Sequence, residues 1–185
     1  MKKLFTLIVK MKRAMLCFIL FSSFASLVYS QDKRMCNADA LINKPDVIIQ
    51  KDYSSVGKVA GITISVETIT DNTNKQKLTA LDLEFSVYEN GSSTSRTVLL
   101  DPDETDALIT FFQSMQDDVV KLSKPTNDTE FSFVSKSGFE AGCYWNSGWG
   151  IYVKADTYST HSNVELSKED FGAFQSFLKQ AKAKM

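Results

Sequence analysis

The chain has 185 residues, with 21 Lys and Arg against 22 Asp and Glu, one His and three Cys. The missing basic excess disfavours binding to phosphate backbones, and one His with so few thiols disfavours a multi-ligand zinc centre. The eight glycines are scattered, so there is neither a phosphate-cradling loop nor a GxSxG nucleophile elbow; no cofactor or metal is expected.

The chain opens with Lys2, Lys3, Lys10, Lys12 and Arg13, followed by an uncharged, mostly apolar run from Ala14 to Val28. Val28 and Ser30 then stand at the minus-three and minus-one positions of a cut before Gln31, which reads as a secretory signal peptide over residues 1–30. A transmembrane anchor needs ~20 apolar residues, and this run is shorter and broken by Ser22, Ser23 and Ser26. The residues before Cys17, Ala14-Met15-Leu16, do not make a lipobox. The mature chain is therefore expected in the periplasm or outside the cell, with no membrane anchor. Cleavage removes five basic residues, so that 16 Lys and Arg face 22 Asp and Glu, a net charge of −6.

Two cysteines remain, Cys36 and Cys143. In an oxidising compartment an even pair suggests a disulfide. Closing a loop of about a hundred residues would stabilise by up to ~4–5 kcal/mol in the chain-entropy view. The alternative is a buried apolar thiol at Cys143 and a free Cys36.

Residues 31–58 read as a polar arm, with one short strand at Val47-Ile48-Ile49. A single α+β domain follows over 59–185, in two similar halves, 59–124 and 129–185. In the first half Ile62, Ile64 and Val66 alternate with Thr63, Ser65 and Glu67. Leu81, Leu83, Phe85 and Val87 alternate with Asp82, Glu84 and Ser86. Period two with β-branched residues predicts strands with one wet face. Asn90-Gly91 predicts a hairpin turn before a strand carrying Val98 and Leu100. Asp101-Pro102-Asp103-Glu104 then has capping-box spacing with Pro at the first helical position. Leu108, Phe111, Phe112, Met115, Val119 and Leu122 recur at helical spacing behind it. In the second half, strands around Phe131–Phe133, Phe139–Trp145, Trp149–Val153 and Asn163–Leu166 lead to Ser167 as cap. A helix striped by Phe171, Phe174, Phe177, Leu178 and Ala181 follows. The two strand-to-helix junctions superpose at an offset of 66 residues, Asp101 on Ser167, which reads as an internal duplication. The predicted architecture is an antiparallel sheet of six to eight strands from two β-meander–helix units, with two helices on one face.

Candidate sites are few. In the aromatic cluster Tyr144, Trp145, Trp149, Tyr152 and Tyr158, alternation puts both Trp residues with Cys143, Ile151 and Val153, on the core side. It puts Tyr144 and Tyr152 on the open face, where they are the expected ligand contacts. His161 has no nucleophile or metal partner in its surroundings. The acidic group Asp101, Asp103, Glu104 and Asp106 is accounted for by capping and the helix dipole, and the Asp117-Asp118 pair matches no calcium loop. The leading expectation is a non-enzymatic exported domain binding a partner protein or glycan through its open sheet face. A small carboxylate-dependent hydrolase using Asp82 and Glu84 is the alternative, and an envelope structural or assembly subunit is the third reading.

Overall fold

The computed structural model describes residues 35–89, 91–116 and 125–185. The expected signal segment, Asn90, the Asp117-Asp118 pair and the stripe positions Val119 and Leu122 lie outside the described residues. Among the described residues, eight antiparallel strands and three helices form an α+β fold. Strands β1 (Ile49–Val59), β2 (Ile62–Asp71), β3 (Lys77–Glu89) and β4 (Ser92–Leu100) make one four-stranded meander, sheet 1. Strands β5 (Thr129–Val134), β6 (Glu140–Trp145), β7 (Trp149–Lys154) and β8 (Asn163–Leu166) make a second, sheet 2. The helices are α1 (Asn37–Ile42), α2 (Pro102–Ser114) and α3 (Lys168–Lys182). The two meander–helix units are as expected; the eight strands are divided between two sheets instead of forming one.

Local chemistry explains the turns. Val59 pairs with Ile62 across Ala60 and Gly61, both at positive φ (48° and 81°), the two-residue geometry that matches strand twist. Between β2 and β3, the Asp71 carboxylate accepts from Thr73 N–H at 2.8 Å, folding the polar connection back on itself.

Helices α2 and α3 begin at Pro102 and Lys168, 66 residues apart, each capped as expected. Ser167 Oγ accepts from Asp170 N–H at 3.1 Å. At Asp101, Glu104 Oε2 accepts the backbone N–H of the cap at 3.1 Å, one arm of a capping box.

One core fills the space between the inner faces of both sheets and the two long helices. Ile62, Ile64, Val66, Leu81, Leu83 and Phe85 come from sheet 1, and Ala141, Cys143 and Val153 from sheet 2. Phe112 of α2 stands edge-on to Phe171 and Phe174 of α3, at 5.3 and 5.8 Å. Such contacts add to burial worth ~25 cal/mol per Å² of apolar surface.

The expected arm holds more structure than one short strand. It contains α1 and the eleven-residue β1. Cys36, Ala38 and Leu41 pack on Ile69, Ala80 and Leu99, a second small core on the outer face of sheet 1.

Candidate functional site

With α1 on one end of that outer face, the rest is left to polar side chains. Register sets them in rows: Tyr53 beside Glu67, Ser65 beside Asp82, and Thr63 beside Glu84 and Thr97. Among the described residues no helix packs over these rows. Glu84, Ser86, Tyr88, Ser95 and Thr97 are exposed, and Tyr53 is 61% exposed. This hydroxyl-rich open surface is what strict alternation predicts.

Two members of the face depart from a solvated strip. Glu67 is 1% exposed and Asp82 7%. Lys51 Nζ stands 2.9 Å from Glu67 Oε1, in the geometry of an ion pair rather than an aligned hydrogen bond. Burial pulls the Lys51 ammonium down, but Glu67 outweighs it and the lysine is held above its ordinary value. Ser65 Oγ donates to Asp82 Oδ2 at 3.1 Å, while Asp82 Oδ1 is sealed and has no donor. Burial lifts the Asp82 carboxyl to about 6, with the charges of Glu67 and Glu84 adding to it. The expected hydrolytic pair, Asp82 with Glu84, is thus not what the strands assemble: Asp82 sits with Glu67, and Glu84 faces solvent. Glu67 was legible as an outward residue, but its burial under Lys51 depends on β1, which sequence patterning did not extend this far.

The outer face of sheet 2 carries the two tyrosines named from the sequence, and neither is a free platform. Each lies across a glycine of the neighbouring strand. Tyr152 pairs with Gly142, where an added Cβ would lie 2.6 Å from the ring, and Tyr144 pairs with Gly150, at 2.5 Å. The rings are 6.3 Å apart. Tyr152 is only 3% exposed, which corrects its expected role as an open contact. Its hydroxyl lies 2.5 Å from Glu130 Oε1 and 2.6 Å from Glu140 Oε1. A phenol has one proton, so it donates to one carboxylate at a time. Burial and these two acidic neighbours push the Tyr152 phenol far up, so it stays protonated. Tyr144 is half-buried and donates to Glu165 Oε1 at 2.9 Å, which also raises its pKa. Lys154 bonds Glu140 at 3.4 Å and lies over the Tyr152 ring.

Cys36 and Cys143 are both free, buried thiols, so the expected disulfide is not formed. They belong to different apolar clusters: Cys36 caps α1 under the outer face of sheet 1, and Cys143 is in the main core. Burial pushes each thiol up to about 11. The ligating atoms of Cys36, Asp101 and Glu104 fall within 4.8 Å of one another. Their lone pairs are committed to the fold. Asp101 accepts from Asn37 N and Nδ2 (2.8 Å each) and Ala38 N (3.2 Å), and Glu104 accepts from Lys136 N (2.6 Å). His161 is exposed in a short 3-10 turn, Thr160–Ser162. Trp145 and Trp149 form an edge-on pair at 5.4 Å, half-buried on the core side.

No family model matches the chain, and no curated protein matches it. Among solved structures, that of the plant transcriptional regulator PBF-2 is similar over 73% of this chain and 81% of its own, at 11% identity and a TM-score of 0.25, too slight a likeness to bear on fold or function.

Proposed function

We propose that this chain is an exported, non-enzymatic binding domain that holds a partner on the outer face of sheet 1. The observation that carries this reading is the uncovered face beyond α1, where the exposed ring of Tyr53 borders hydroxyls and carboxylates. An aromatic ring beside hydrogen-bonding groups suits the apolar face and hydroxyl rim of a sugar, so a glycan is the occupant this chemistry favours over a protein. The export signal in the sequence supports placement in the periplasm or outside the cell. The sheet-2 tyrosines do not serve this reading, because their hydroxyls and rings are engaged within the fold.

The test is a panel of immobilised glycans and envelope proteins probed with wild type, Tyr53→Ala and Tyr158→Ala. Tyr158 is 95% exposed but lies on the loop after β7, off the face. Binding that falls at least about tenfold with Tyr53→Ala and is unchanged with Tyr158→Ala supports the proposal; a single buried aromatic contact commonly carries that much. Equal binding by all three proteins rejects it.

The carboxylate-hydrolase reading has one favourable observation, the raised Asp82 carboxyl beside a lysine-paired Glu67, which is the asymmetry acid–base hydrolysis uses. Burial of both groups weighs against it, since a general acid must reach its substrate.

A further inference from the structure

Glu67 of β2 and Asp82 of β3 are diagonal neighbours on the outer face of sheet 1, set by the pairing of Ser65 with Asp82 and of Glu67 with Ala80. Both are buried, and one ammonium, that of Lys51, is committed to Glu67. The remaining groups facing Asp82 do not neutralise it. From β1 come Tyr53 and, in the row of Thr63 and Glu84, Lys58; from β3 comes Glu84; β4 supplies Thr97 and Leu99. Helix α1 brings Asp39, which accepts from Ser137, and the loop after it brings Lys44, paired with Asp71 at 3.3 Å. Two carboxylates and one cation leave one negative charge, and the cost of burying it rises steeply without a donor. Asp82 Oδ1 has none.

We propose that the buried Asp82, diagonal to Glu67 and with one carboxyl oxygen lacking a donor, holds an exchangeable proton, so that this face gains a buried negative charge when the surroundings pass from acidic to neutral. The proton is placed on Asp82, because the Lys51 ammonium stands against Glu67 while Asp82 Oδ1 has no donor. Desolvation raises the Asp82 carboxyl from 3.8 to about 6, Glu67 and Glu84 act in the same sense, and Ser65 and Lys51 oppose them. A carboxyl raised on folding stabilises the fold below its unfolded value. That contribution is lost as pH climbs through the folded value, here about 6. The device does not depend on what the face binds.

Urea unfolding of the protein at pH 5 and pH 7.5 tests it. With those values, the folding equilibrium of wild type is about tenfold less favourable at pH 7.5 than at pH 5, and Asp82→Asn removes the difference. A wild type equally stable at both pH values, or an Asp82→Asn protein that keeps the tenfold change, overturns the proposal. Carbon-13 titration of the side-chain carboxyls in wild type gives an independent reading should Asp82→Asn fail to fold. The Asp82 midpoint is expected near 6, and a midpoint near the ordinary value of about 4 refutes it. Glu67→Gln is expected to lower the Asp82 midpoint; an unmoved midpoint would mean burial acts alone, and the part given to Glu67 would be rejected.

Discussion

Gly142 and Gly150 are the residues on which the outer face of sheet 2 turns. Both seat a tyrosine ring from the adjacent strand, and in both a methyl group would meet ring atoms below 3 Å. The two substitutions are not equivalent. Tyr152 is buried with its hydroxyl near two glutamates, whereas Tyr144 is half-buried and can swing outward. Gly142→Ala is expected to cost about 1–3 kcal/mol, the range for overpacking, and Gly150→Ala less than half as much, by urea denaturation. Equal costs would show that the Tyr152 hydroxyl adds no anchorage. Alternation placed Tyr144 and Tyr152 on this face, but it could not reveal that the face is self-filled. The available signal was glycine inside two strand patterns, which marks close approach of another group. At Cys36 and Cys143 the sequence offered only an even count. Both thiols are expected to react with a disulfide reagent only after denaturant is added, since burial raises them to about 11 and the thiolate is the nucleophile.

At the scale of elements, Asp101 joins two helices. Its backbone is the N-cap of α2, while its carboxylate takes the first N–H groups of α1 and lies 3.4 Å from Lys136 Nζ. Asp101→Ala is therefore expected to cost about 2–4 kcal/mol, more than one cap, against about 1 kcal/mol for Ser167→Ala, which removes the single cap of α3. Urea midpoints of the two variants decide this, and similar losses would show that α1 is anchored by its apolar contacts alone. The cap role was legible from Asp-Pro-Asp-Glu; the link to α1 was not, because it spans 64 residues. Strand β1 escaped detection for a different reason. A bulge between Ser55 and Gly57 shifts its parity, and its inner positions before the bulge are Gln50, Asp52 and Ser54, all exposed. An edge strand that overhangs its core loses the apolar alternation that identifies strands. Strands β2 and β3 were legible throughout, because their inner faces are buried along most of their length.

For the molecule as a whole, two opposed sets of carboxyls shape stability against pH. Lys136 holds Asp103 below its ordinary value, and at Asp71 hydrogen bonds from Thr73 and Lys44 outweigh burial and do the same. Groups lowered on folding stabilise above their unfolded pKa, and that help fades as pH falls through the folded one; Asp82 acts in the other direction. Melting temperature is expected to peak near about pH 4 and decline on both sides, with the decline towards neutral pH absent in Asp82→Asn. A profile rising monotonically to pH 8 would contradict the assignment.

The C-terminal residues also close the far edge of sheet 1. Lys184 Nζ reaches the Ser55 carbonyl at the bulge, 129 positions back, at 2.7 Å, and the Phe177 ring fills the space over Gly57. Strand β1 is thus completed by helix α3 and the residues just after it, far along the chain. Contacts so distant along the chain slow folding, because loop-closure entropy is lost before they form. A chain in which α3 has not yet docked has an unfinished edge and no quick route to the native state. For a protein proposed to leave the cytoplasm, that delay keeps the polypeptide threadable for longer.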